Sequence, residues 1–251
     1  MNDTERDYLH KDLPSLLNML ESKNNATGRR TIMHRIIIVG RLNKNFEDKK
    51  KIGEHYEIMF RNQQQQQNNQ KNPNFFYEKA TGIIIIYPSL FVHVIESSSE
   101  TIKDILKDMR KMMDDPEGMV TDARILNMAH EVHIRMFPVY TFKLMNLSLE
   151  HDSSEPSESL ETLVNDMVIK LLRMGKYLND QSKGQLKKEI IENLHEHHPE
   201  FFPNQNHANY LVKNQELMSP NEYLSFYEKP LNIIIDSDLT WPAPSRMFPF
   251  N

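Results

Sequence analysis

The stretch ATGIIIIYPSLFVHVIESS, Ala80 to Ser98, constrains the fold more than any other part of the chain. Two short runs rich in β-branched and aromatic residues, Gly82 to Tyr87 and Phe91 to Glu96, are separated only by the Pro88-Ser89 region, which predicts a tight β-hairpin. Ser98 or Ser99 then supplies a helix cap. Ile102, Ile105, Leu106, Met109 and Met112 or Met113 follow at helical spacing, until Pro116-Glu117-Gly118 stops the pattern.

Upstream, MHRIIIVGRL, Met33 to Leu42, has the aliphatic density of a buried central strand. Asn43 offers a polar start for a helix over Phe46 to Asn62, with Phe46, Ile52, Tyr56, Met59 and Phe60 inward. The tract QQQQQNNQKNPN, Gln63 to Asn74, has no apolar side chain to bury and is expected to form a loop or a frayed helical end. Downstream, Thr121 to His130 and Val139 to Asn146 are expected to form a second hairpin. Strand, helix, hairpin, helix, hairpin is an α+β, ferredoxin-like order, predicted over residues 33–146 with two helices on one face of the sheet. Ile38, Ile84, Ile86, Val94, Ile105, Leu106, Met109 and Phe137 are its core candidates.

The flanks divide by composition. Residues 1–32 form an N-terminal extension with a short helix carrying Leu13, Leu16, Leu17 and Leu20. HDSSEPSES lies within a linker at 147–159. A helical segment follows at 160–202. Residues 203–251, rich in proline and aromatics, are expected to be an extended arm that binds a partner through Tyr223, Phe226, Tyr227, Trp241, Phe248 and Phe250.

Several chemistries lack their residues. With 7 glycines there is no GxxxxGK[ST] or GxGxxG phosphate loop. The strand-to-helix loop VGRLNKNFED has one glycine and Arg41, too little for an acylphosphatase-like phosphate cradle. There are no cysteines, which excludes disulfides and thiolate chemistry and suits a reducing compartment. A net charge of −5 leaves no footprint for nucleic acid. A polar N-terminus and the absence of any long apolar run point to an intracellular protein without a membrane span. The cluster ENLHEHH, with Glu192, His195, Glu196, His197 and His198, lacks the HExxH spacing, and no metal site or catalytic residue is expected.

The central block resembles the BLUF domains, sensors of blue light using flavin. Thr81-Gly82 opens strand two, Glu96 closes strand three, MHRIIIVGRL is similar to the family's first strand, and ARILNMAHEVHIRMFPVYTFKL to its last hairpin, with Arg135, Phe137 and Pro138 at the family's positions. The resemblance covers about residues 33–146. It implies the ferredoxin-like fold and a flavin, whose contacts fall here on changed residues. Ile38 stands at the strand-one tyrosine, Gly40 at the nearby serine, His93 at the strand-three glutamine, Tyr140 and Phe142 at the last strand's tryptophan and methionine, and Phe75 at a helix-one asparagine. Asp114 and Asp115 stand where basic residues would meet the cofactor's phosphates. Ile38 has no donor, and His93 cannot present an amide carbonyl and an amide N–H together. A structural role in the core is expected for His93, and FAD or FMN is not.

With its flanks, the chain is similar to a testis-expressed vertebrate family that carries such a degenerate domain. The expectation is a non-catalytic docking component of a ciliary or sperm flagellar axonemal assembly, in the cytoplasm or cytoskeleton, with axonemal or other cytoskeletal proteins as partners and neither nucleic acid nor membrane. The alternative is a flavin-binding sensor with altered or no photocycle.

Overall fold

The computed structural model describes residues 19, 32–69, 79–145, 156–182 and 188–228. Strand β1 spans Met33–Leu42, helix α1 Lys50–Asn69, β2 Thr81–Ile86, β3 Leu90–Ser98, α2 Ser99–Asp114, β4 Val120–Ala129 and β5 Tyr140–Leu144. Four further helices follow: α3 (Leu160–Ser182), α4 (Lys188–His197), α5 (Gln205–Lys213) and α6 (Pro220–Tyr227), with a 3₁₀ turn at Pro199–Phe201.

The sheet order is β4-β1-β3-β2-β5. All neighbours are antiparallel except β2 and β5, which run parallel. The expected second hairpin does not form, because β4 and β5 lie on opposite edges. Ten residues separate them, 130–139, and this connection crosses the end of the sheet instead of reversing. Val132 N donates to Met33 O, Arg35 donates to Ile134 O, and Gly82 N donates to Val139 O, so the crossing segment is fastened at β1 and again at β2.

The strands carry apolar residues on both sides because both faces of the sheet are covered. On one, Ile36, Ile38, Ile84, Ile86, Phe91 and Ile95 pack against Ile52, Tyr56 and Phe60 of α1 and Ile102, Ile105, Leu106 and Met109 of α2. On the other, Ile37, Val39, Ile83, Ile85, Val92 and Val94 meet Leu163, Met167, Leu171 and Met174 of α3 and Ala208, Leu211 and Val212 of α5. The eight expected core residues are all buried, with Val94 and Phe137 on the second face.

Local chemistry sets the ends of the helices. Ser98 caps α2, its hydroxyl accepting from Thr101 N at 3.4 Å. Helix α1 begins at Lys50, whose N–H donates to Asp48 Oδ1, so Phe46 stays in the preceding turn. It then runs through the glutamines to Asn69. Of the loop or helical end expected from Gln63, residues 63–69 take the helical form, since glutamine is a good helix former whether or not it has a core to face. Gly82 has φ 144°, and a Cβ there would meet Val94 O at 2.0 Å, so the start of β2 admits only glycine.

Over its described part, residues 203–228, the expected extended arm is also corrected; residues 229–251 lie outside the described residues. Residues 205–213 and 220–227 are helical and docked on the domain. Proline at 220 sits in the first turn of α6, where its missing N–H costs nothing, and Ser219 with Glu222 forms a capping box. Tyr223 and Leu224 join the core beside α2 and β4, so Tyr223 is a packing residue and not part of a docking surface. The N-terminal helix, Phe75, Trp241, Phe248 and Phe250 lie outside the described residues.

Candidate functional site

Two groups of polar residues lie inside the sheet-helix core. The first surrounds His93. It pairs with Ile38 across β1/β3 and with Ile84 across β2/β3, and it is 0% exposed, as is Ile38. Burial pushes the imidazole down to about 3, so the ring is neutral at physiological pH. Its Nε2 lies 2.8 Å from the Tyr140 hydroxyl, on the neighbouring β5 side of the sheet. The partner of His93 is therefore a side chain two strands away and not the backbone.

Three aromatic rings close over this pair. Tyr56 of α1 sits 4.7 Å from the His93 ring, and Phe60 4.5 Å from Tyr140. Phe142 fills the space beside Gly53, where a Cβ would come within 2.5 Å of Phe142 Cγ. Burial also raises the phenols of Tyr56 and Tyr140 above their ordinary range. Tyr56 Oη and His93 Nδ1 are buried with no hydrogen-bond partner.

The positions that the resemblance assigns to a flavin are thus brought together, Ile38, His93, Tyr140 and Phe142 within one cluster, but as mutually packed side chains. Ile38 supplies no donor, and Tyr56 and Phe60 stand against the strand residues that an isoalloxazine ring would touch. Tyr56 was legible in the sequence only as an inward helix residue; its contact with His93 joins α1 to β3 through tertiary packing alone.

The second group is built on Glu96, 0% exposed at the end of β3. Its carboxylate accepts from Arg35 at 2.7 Å, from Thr81 Oγ1 at 3.0 Å, and from the N–H groups of Met136 and Phe137 at 3.0 and 3.2 Å. Arg135 in turn donates to Thr81 Oγ1. Thr81, Glu96, Arg135 and Phe137 stand out in the sequence as landmarks, and the structure gives them one task. They fasten the crossing segment to the ends of β2 and β3, with Arg35 of β1 as the counter-charge that sequence reasoning missed.

At the far end of the described chain, α6 leaves Phe226 68% and Tyr227 54% exposed, with their rings 5.1 Å apart. Glu228, just beyond, pairs with Lys107 at 3.0 Å and Arg110 at 3.8 Å on α2. Among the described residues, no group of three or more His, Asp or Glu is placed to hold a metal ion, and no helix is long and apolar enough to cross a membrane. The histidines of ENLHEHH disperse: His195 packs on Phe202, and His198 stacks on Phe201 while bonded to Glu200.

The architecture is an α+β domain of the ferredoxin-like, BLUF-like class, with an open sheet and helices on both faces. The family model described as testis-expressed protein 47 matches residues 32–229, and the chain belongs to that family. In structure it is similar to BlrP1 BLUF, with 12% identity over 57% of this chain and 78% of that one, at a TM-score of 0.35. It is also similar to a bacterial light-regulated adenylyl cyclase, with 18% identity over 58% of this chain and 37% of that one, at a TM-score of 0.33. BlrB, a BLUF protein in its dark state, is matched with 16% identity over 46% of this chain and 74% of that one, at a TM-score of 0.29.

Proposed function

We propose that this protein is a non-catalytic docking component of a larger protein assembly, and that the assembly is ciliary or flagellar, most specifically the sperm axoneme. The observation that carries the docking mode is the Phe226–Tyr227 pair. Two large aromatic side chains stand mostly in water on a helix anchored by Tyr223, Leu224 and, just beyond its end, the ion pairs of Glu228. Aromatic side chains presented on a rigid element bury much area at little entropic cost, which is why they dominate interface energetics. The family description supports a testis protein; cytoskeletal partners are the proposal's own step. The packed cluster over His93 supports a domain that binds neither FAD nor FMN.

The test is extraction of demembranated flagella carrying tagged full-length chain. The unmodified protein should stay with the axoneme, and Phe226→Ser with Tyr227→Ser should move it to the soluble fraction. Wild-type protein that washes out freely would overturn the proposal.

A flavin-binding sensor with altered or no photocycle is the second reading, favoured by the two unpartnered buried atoms, Tyr56 Oη and His93 Nδ1. Unmet buried polar groups cost roughly 1–3 kcal/mol each, and a polar ligand would relieve that cost. Purified protein that carries a flavin absorbance through gel filtration would establish this reading; colourless protein that takes up no added FAD or FMN would dismiss it.

A further inference from the structure

Among the described residues nothing extends the sheet beyond β5, and we infer that its outer edge pairs antiparallel with β5 of a second copy of this chain, joining two sheets across a two-fold axis at Phe142. This goes beyond the docking reading and does not depend on it. Gly82 N donates to Val139 O at 3.2 Å, and Met145 N donates to Ile86 O at 2.8 Å. The odd-numbered residues of β5 therefore turn their main-chain groups toward β2, and the parallel ladder directs those of Tyr140, Phe142 and Leu144 outward. β5 is the last strand in the order, and among the described residues no strand pairs with its outer side. An unpaired edge of this kind is a template for strand addition. Beside it runs a groove of about 640 Å³, walled by α1 and by Ile191 and Glu192 of α4. Leu144 is 38% exposed in it.

Charge selects the second copy as the occupant. The wall that α1 presents is a single stripe, Lys50, Glu54, Glu57 and Arg61, at helical spacing. Phe142 lies directly against Gly53, so Gly53 marks the level of the proposed axis on α1. At 1.5 Å per residue, Lys50 stands ~4.5 Å to one side of that level and Glu57 ~6 Å to the other. A two-fold axis through Phe142 reverses these offsets in the second copy. Lys50 of each chain then comes level, within ~1.5 Å, with Glu57 of the other. Glu54, one residue past Gly53, comes within ~3 Å of level with its own copy, a single like-charge meeting set against two opposite-charge ones, and each Glu54 is paired with Lys50 of its own chain at 3.0 Å. On the sheet, Phe142 faces its own copy, Tyr140 faces Leu144, and Lys143 faces Thr141, so no like charges meet across the strands. Lys143 is itself turned away, its Nζ donating to Glu192 O at 2.6 Å.

Sedimentation of the full chain from low micromolar to hundreds of micromolar tests this at neutral pH and low salt. A monomer–dimer equilibrium is expected. Lys50→Glu should weaken the dimer at least tenfold, and Lys50→Glu combined with Glu57→Lys should restore it, because the swap re-creates both cross-pairs. Lys50 is half-exposed and its Glu54 pair is a surface pair, so Lys50→Glu does not threaten the fold, and urea denaturation of the double variant checks that it is folded. Hydrogen exchange supplies a second readout: the Phe142 and Leu144 amides should gain protection with concentration, and the Thr141 and Lys143 amides should not change. A monomer throughout, a dimer indifferent to Lys50→Glu, or a charge swap that fails to restore association would each overturn the inference.

Discussion

Replacing Glu96 by glutamine changes one atom at the point where the crossing segment is fastened. Both carboxylate oxygens are surrounded by donors: Oε1 receives Arg35 and Met136 N, and Oε2 receives Thr81 Oγ1 and the N–H groups of Met136 and Phe137. Whichever way the amide is turned, its NH₂ faces donors, and Arg35, only 11% exposed, loses its counter-charge. Removing one partner of a buried ion pair costs about 3–5 kcal/mol, because the remaining charge stays desolvated. The fully buried carboxylate places this site in that class and not among surface pairs. E96Q should therefore lose about 3–5 kcal/mol by urea denaturation, visible as a lower midpoint at an unchanged slope. Native-state hydrogen exchange should show the Met136 and Phe137 amides losing protection first, ahead of β1 and β3. A variant within about 1 kcal/mol of wild type, a change the size of one ordinary hydrogen bond, would refute the claim that Glu96 anchors this segment.

Further outcomes follow from the same packing. G82A forces a β-carbon into Val94 O at a positive φ and should lose at least roughly 1–3 kcal/mol in the same denaturation assay. His93 is held neutral, its folded value near 3 lying below the ordinary 6.5. Above 6.5 the imidazole therefore adds no pH dependence. As the pH falls from 6.5 toward 3, the unfolded chain takes up a proton that the fold refuses, and stability drops by up to about 1.4 kcal/mol per unit. The stability of H93F should lack that part of the acid slope, and parallel pH profiles for the two proteins would contradict the burial of a neutral ring. Leu224→Ala should cost about 2–5 kcal/mol if α6 is part of the core, and close to nothing if the helix is only an appendage.

Much of this was legible in the sequence, and the physical reason differs from element to element. Strands β1 to β3 were readable as short, nearly continuous apolar runs, Ile83 to Ile86 and Phe91 to Ile95 flanking a turn, and helix α2 because Ile102 to Met109 recur at the helical period. The placement of β5 was not, because nothing local distinguishes a strand that returns beside β4 from one that crosses to β2. The crossing segment is fastened instead by Glu96 and Arg35, whose bonds to Met136 and Ile134 span 40 and 99 positions of sequence. Helix α6 was read as part of an arm because the prolines from Pro230 onward and the aromatics suggest one; the capping box that starts the helix is spelled out in Ser219 and Glu222. At the cofactor positions, Ile38 and His93 showed the loss of the relay residues. The ring that takes the place beside His93, Tyr56, could be identified only from the packing of α1 on the sheet.

Cross-linking of intact native axonemes tests the central claim most directly. Lys103, Lys107 and Lys111 lie on α2, the helix to which Glu228 ties the end of α6, close to the exposed Phe226 and Tyr227. A docking role predicts that cross-links from these lysines to other axonemal proteins outnumber those from the rest of the chain and fall when Phe226 and Tyr227 are both replaced by serine. Cross-links confined to the chain itself, or unchanged by the double substitution, would contradict it.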